Sequence, residues 1–262
     1  MEDAMKPDER LQQIKQSGKE MIIILGLATS PVGVRFLSEG TDYPEGSEVL
    51  KQHRYCQALM KARHGESVIL NAEGIACPAA AAAFGFRPLP EGLKSGKGLV
   101  GFVIVKDEAV GKRMFEHMPH LKPTEIKTLH LYPLEKARHV PDVVVVEDEV
   151  EKLMWIALAY LHAIGGERIV SSTAILQATC VDSTIIPYLE NRLNLSYGCY
   201  GCRDATDIST NETVLGFPRV MLERIVEHLT FLAQKAIPAS RGKNALAALQ
   251  GREGNYTDCT SL

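Results

Sequence analysis

Cysteine dominates the reactive side chains of this sequence. Five of its six cysteines, Cys56, Cys77, Cys180, Cys199 and Cys202, sit beside glycine, proline or polar residues, whereas Cys259 lies in the polar tail Asn255-Tyr-Thr-Asp-Cys-Thr-Ser-Leu. Cys199 and Cys202 form a C-x-x-C within Gly198-Cys-Tyr-Gly-Cys-Arg. Glycines there expose backbone N–H groups, and two thiolates at that spacing face one point, which suits a metal, an iron–sulfur cluster or a dithiol redox pair. Soft sulfur ligands favour iron–sulfur centres and zinc, and a Cys-Pro such as Cys77-Pro78 also occurs in bacterial ferredoxin motifs, although these cysteines are more dispersed than the compact ferredoxin run. The expectation is therefore a cysteine-ligated cluster of the four-iron, four-sulfide type, drawing four thiolates from these five. Zinc, a tetrapyrrole with an axial cysteine, and metal-free thiol chemistry are the alternatives, and buried inert thiols are the bland one. Thiolates sharing an iron–sulfur or zinc site are expected within about 4 Å of one another, because metal–sulfur bonds are about 2.3 Å.

Polar neighbours extend the candidate list. Arg54, His64, Arg203, Asp204 and Asp207 flank the motifs, and cations or N–H donors stabilise a thiolate or an anionic cluster. Arg203, next to Cys202, is expected to help bind the cofactor or grip an acidic substrate; ordinary surface ion pairs are the plain alternative. Ser171, Ser172 and Thr173 sit where a strand end could border a ligand crevice or cap a helix.

These residues need elements to hold them. Residues 7 to 18 read as a solvated leader helix, and Met21-Ile-Ile-Ile-Leu-Gly-Leu and Val32-Gly-Val-Arg-Phe-Leu as two strands about Ser30-Pro31. A helix is predicted over 47 to 63, and a strand at Ser67-Val-Ile-Leu. Pro78 opens an alanine-rich helix that Cys77 would cap, with its sulfur near the positive end of the dipole. Strands follow at Leu99-Val-Gly-Phe-Val-Ile-Val, Leu129 to Tyr132, Asp142 to Glu147, and Arg168 to Thr173. Helices are predicted through Val110, Met114 and Met118, and over 148 to 163.

The second half echoes the first. Pro31, Cys56, Cys77 and Leu99-Val-Gly-Phe are matched in order by Pro141, Cys180, Cys199 and Val214-Leu-Gly-Phe. The implied architecture is α/β or α+β, with two similar pseudo-symmetric α/β halves packed as one compact unit. Its parts are a leader at 1–19, a first half at 20–118, a connector at 119–140, a second half at 141–240 and a tail at 241–262. Such halves would bring the two cysteine pairs to one interface.

The bulk properties narrow the function. A net charge of −3 without a basic stripe argues against nucleic-acid or anionic-membrane binding. The charged start of the chain and the shortness of the apolar run Met154 to Ile164 predict no signal peptide and no membrane span, hence a cytoplasmic protein with free thiols. No G-x-G-x-x-G, Walker, H-E-x-x-H or G-x-S-x-G motif is present. A redox partner or small-molecule substrate is expected, and a homo-oligomer is compatible with the sequence.

The segments Cys56-Gln-Ala-Leu-Met-Lys-Ala-Arg-His-Gly-Glu, Ile75-Ala-Cys-Pro-Ala-Ala-Ala-Ala-Ala-Phe-Gly-Phe, Gln177-Ala-Thr-Cys-Val-Asp-Ser-Thr and Gly198-Cys-Tyr-Gly-Cys-Arg-Asp-Ala-Thr-Asp resemble the family known as domain of unknown function 169. The resemblance runs from about residue 20 to 240. It implies a setting in archaea and anaerobic bacteria, and with it an oxygen-sensitive cofactor, but it carries over no activity.

Overall fold

A computed structural model describes residues 6–38, 43–123 and 125–242; Cys259 and the rest of the tail beyond 242 lie outside them. The chain runs α1 (Pro7–Leu25), β1 (Val32–Leu37), β2 (Glu48–Val49), α2 (Tyr55–Arg63), β3 (Val68–Asn71), α3 (Pro78–Ala83), α4 (Glu91–Lys94), α5 (Lys97–Gly101) and α6 (Glu108–Glu116). It continues through β4 (Thr128–Pro133), β5 (Val143–Glu149), α7 (Val150–Ala163), a π-helix (Ala178–Ile185), α8 (Ile186–Glu190), β6 (Asn194–Ser196), α9 (Tyr200–Ala205), β7 (Glu212–Pro218), α10 (Leu222–Leu232) and α11 (Ala236–Arg241).

The strands form one mixed seven-stranded sheet in the order β2-β3-β4-β1-β5-β7-β6. Every pairing is antiparallel except β2 with β3. Alternation along the strands divides the core. Val32, Val34, Leu129, Leu131, Val143, Val145 and Val214 face one side, under α2, α3, the π-helix and α9. Tyr132, Val144, Val146, Leu215 and Phe217 face the other, under α1, α7 and α10. The fold is thus mixed α/β, and both predicted halves contribute to the same sheet.

Several sequence expectations are corrected. Residues 21 to 25 are the last turns of α1, not a strand, and α1 is no solvated leader: Ile14, Ser17, Gly18, Met21 and Leu25 form a buried stripe. Two of those positions are small because α1 packs tightly on the turn at 134–136; a Cβ on Gly18 would lie 2.7 Å from Glu135 N. Gly26, at φ 62°, ends the helix. The predicted helix over 47–63 begins only at Tyr55, preceded by the short β2.

Leu99 to Val105 is α5 and a turn, not a strand, with Phe102 and Val103 exposed by 67% and 90%. Since Val214-Leu-Gly-Phe lies in β7, the match between these two segments does not hold structurally. Arg168 to Thr173 makes no strand either; the Asn194 side chain bonds both the N–H and C=O of Ser172 at 2.8 Å. The strand predicted at Leu129 to Tyr132 within the connector is present as β4, between β3 and β1. Among the described residues no helix is long and apolar enough to cross a membrane.

Candidate functional site

All five cysteines line one cavity of about 500 Å³, with Arg54, Leu99, Phe102, Phe115, Leu176 and Gln177 among its other walls. Cys56 lies in the first turn of α2, while Cys77 and Cys199 occupy the N-cap positions of α3 and α9. Pro78 at the first helical position loses no intrahelical bond, as the sequence predicts. Cys180 is carried by the π-helix, an irregular backbone of the kind found at functional sites.

The C-x-x-C closes on itself. Cys199 N–H donates to Cys202 Sγ at 3.0 Å, and Cys202 N–H donates to Cys199 Sγ at 3.4 Å. A hydrogen bond from the Cys202 thiol, joined by backbone N–H groups of Ala178, Cys202 and Gly201, overcomes burial and holds the Cys199 thiol well below the ordinary value. The same bond pushes Cys202 up. Burial pushes Cys56 up to about 12 and raises Cys180 well above the ordinary thiol, and neighbouring thiolates add to both shifts. One thiol of the set is therefore primed to ionise, and several others resist it.

Among the described residues no three His, Cys, Asp or Glu side chains are placed to hold a single metal ion. The spacing expected of thiolates around one ion is thus not preassembled.

The flanking polar residues tie α2 to the chain around α9. Arg54 donates to Gly201 O at 2.9 Å and reaches Asp204 at 3.4 Å. At the other end of α2, Arg63 and His64 both bind Asp207, at 2.6 and 2.5 Å. Arg54 lines the cavity, whereas His64, Asp204 and Asp207 act as clamps outside it. Arg203 also stays outside: its guanidinium donates to the carbonyls of Tyr197, Ser209 and Glu212 and braces the loop that presents Cys199.

Buried Arg63 also faces Glu147 at 3.6 Å and Glu212 at 3.7 Å, so one cation serves three carboxylates. Burial alone would raise Asp207, but its bonds to Arg63 and His64 hold it below the ordinary value. Glu147 has neither oxygen hydrogen-bonded, and burial, partly opposed by Arg63, pushes it up to about 7.

Sequence reasoning missed a second cavity. Its volume is about 430 Å³ and it shares the wall formed by Leu176 and Gln177. Arg113, His117, Ser172, Thr173 and Asp182 line it, so two of the hydroxyl residues singled out do border a crevice. Ser171 instead donates to Leu195 O at 2.8 Å. The π-helix turns Cys180 to one cavity and Asp182 to the other. Burial pushes Asp182 up to about 6 against hydrogen bonds from Thr173 and Ser196. The only sequence signal was that Asp182 lies two residues from Cys180.

An uncharacterized protein of Methanocaldococcus jannaschii is 27% identical to this chain over 227 residues, covering 86% of the chain and 97% of that relative. No solved structure matches. The family described as uncharacterised ArCR proteins, domain of unknown function 169, matches residues 20–228, and the chain belongs to that family.

Proposed function

We propose that this protein holds an iron–sulfur cluster in the cysteine-lined cavity and serves anaerobic metabolism as a redox carrier or as an enzyme acting on a small molecule. The observation that carries this reading is the convergence of five thiols, from four separate chain segments, on one cavity. In a cluster each thiolate binds a different iron, so the spacing of about 4 Å expected from the sequence is too short for a cluster and holds for a single ion alone. The lack of a single-ion arrangement therefore weighs against zinc and not against a cluster.

Four of Cys56, Cys77, Cys180, Cys199 and Cys202 would hold the cluster, which supplies reversible one-electron transfer when bound. Cys199 is the first ligand, being already disposed to ionise. The buried thiols Cys56 and Cys180 give up their protons when metal replaces them. Leu99, Phe102, Phe115 and Leu176 limit water around the site, and Arg54 offsets its negative charge. A small anionic substrate would enter the adjoining cavity, against Arg113 and His117.

The strand order also supports a pseudo-symmetric origin for the two halves. β1-β4-β3 lies beside β5-β7-β6, and the helices with Cys77 and Cys199 at their N-cap positions follow β3 and β6. Thiols left unpaired fit a reducing, cytoplasmic setting.

Anoxic purification or reconstitution with iron and sulfide tests the reading. The expected outcome is stoichiometric iron and sulfide, with broad absorption near 400 nm that dithionite bleaches. A sharp Soret band would instead identify a tetrapyrrole, and a colourless, iron-free protein would overturn the proposal. The second reading, metal-free dithiol chemistry, is favoured by the lowered Cys199 thiol beside Cys202. It predicts a Cys199–Cys202 disulfide that forms and reduces reversibly in iron-free protein with activity retained.

A further inference from the structure

Away from the cysteines, at the end of the sheet where β3 meets β4, a cavity of about 150 Å³ is lined by Ser47, Ser67, His130, Tyr132, Lys136 and Arg138, together with residues 44–46, 65 and 133. His130 points from β4 and is 2% exposed. Its Nε2 lies 2.9 Å from Ser67 Oγ, which is 2.8 Å from Ser47 Oγ, while its Nδ1 is buried and has no partner. That nitrogen has no surface open to the cavity, so what the cavity takes is set by the other groups that line it.

The chemistry of the lining indicates what the cavity takes. Lys136 and Arg138 bring positive charge, and each donates to a carbonyl, Gly65 O and Glu45 O, at a long 3.3 Å, leaving further donors available. Arg35 and His139 lie close enough to act on the His130 imidazole. Among the described residues, Glu45 is the one acidic residue of the lining. Such a set repels cations. The volume suits one tetrahedral oxyanion with a water or two, as liquid water takes about 30 Å³ per molecule.

A serine beside a histidine also suggests a nucleophile and base. Here burial, with His139 and Arg35 nearby, pushes His130 down to about 3. An imidazole so reluctant to take a proton is a poor general base near neutral pH, and no carboxylate bonds its Nδ1. Binding, rather than acyl transfer, is what this cluster is equipped for.

We propose that this cavity is a binding site for a phosphate-class oxyanion, held by Lys136 and Arg138, hydrogen-bonded by the Ser47 hydroxyl at the end of the His130–Ser67–Ser47 chain, and walled by His130. It is independent of the cysteine cavity and shares no lining residue with it. The same chemistry would receive free phosphate or the phosphate of a larger molecule.

Titration of the full chain with inorganic phosphate at constant ionic strength, followed by calorimetry and by the His130 ring ¹⁵N shifts, tests the proposal. Saturable binding of one phosphate, a His130 shift that chloride does not produce, and at least tenfold weaker binding in the Lys136→Ala/Arg138→Ala double variant are expected. Both of those side chains are exposed, so the variant should fold. Ser67→Ala should weaken binding severalfold. Glycerol phosphate binding more tightly than inorganic phosphate would mark the site as a phosphate-group pocket, and weaker binding as one for the free anion; either supports the shared chemistry. No saturable phosphate binding, or equal binding by the double variant, overturns it.

Discussion

The two faces of the sheet are built differently. One is covered by α1, α7 and α10, of 19, 14 and 11 residues, regular helices whose buried stripes make an ordinary aliphatic core. The other is covered by α2, α3, the π-helix and α9, none longer than nine residues, and it holds the five cysteines. Long helices bury area efficiently but spend their backbone groups internally. Short ones expose many N-termini, caps and N–H groups, which is where thiolates are stabilised. One face therefore supplies stability and the other supplies ends.

The strongest way to break this contrast is to exchange losses between the faces. Cys199→Ser or Cys180→Ser should remove most of the reconstituted iron while moving the urea midpoint little. Leu229→Ala, fully buried on the opposite face, should cost about 2–5 kcal/mol and leave iron per folded molecule unchanged. Iron retained in both cysteine variants would refute the division of labour.

Gly216 sharpens the contrast because it lets the π-helix lie directly against the sheet on the cysteine-bearing face. A Cβ there would come 1.8 Å from Ser183 O in the π-helix, so no side chain fits without moving that helix. Gly216→Ala should destabilise by about 1–3 kcal/mol or more and also lower cofactor content, through the displaced Cys180. Circular dichroism melts with iron analysis on the same samples would read both effects.

A smaller effect is expected from Glu147. Its carboxyl rises from the ordinary 4.5 to about 7 in the fold, so between those values the folded protein binds more protons than the unfolded chain. Its contribution to stability accordingly falls as pH climbs through that window and is flat above it. Glu147→Gln should flatten that part of the urea-midpoint profile between pH 5 and 8; profiles that stay parallel would show that Arg63 fully compensates the charge. Smallest of all, Lys112→Ala breaks an exposed i,i+4 pair with Glu116 and should change stability by no more than about 0.5 kcal/mol, with no change in iron.

Legibility in the sequence follows the same division. β1 and β5 were readable because β-branched runs between turn residues have few other fates, and Cys77 was readable as a cap because proline marks the first helical position. α1 was misread where Ser17 and Gly18 interrupt the apolar pattern, since a close helix–turn contact selects small residues that carry no hydrophobic signal. Phe102 and Val103 misled in the opposite sense: they are apolar yet exposed, and Phe102 lines the mouth region of the cavity instead of pairing in a sheet. The cysteines announced themselves by type. The second cavity did not, because Arg113, His117 and Asp182 are common residues whose meeting depends on tertiary packing alone.

β1 pairs with β4 on one side and β5 on the other, so the centre of the sheet is completed only when residues near 32, 130 and 145 have met. The clamp from Arg54 to Gly201 spans 147 positions in sequence. During synthesis, Cys56 and Cys77 emerge long before Cys180, Cys199 and Cys202, and no local hairpin can gather the set. Contacts of such long range form late, after the entropy of closing large loops has been overcome. Cys56 and Cys77 thus precede the other three thiols in synthesis, and the five-thiol cavity exists only once the sheet is complete.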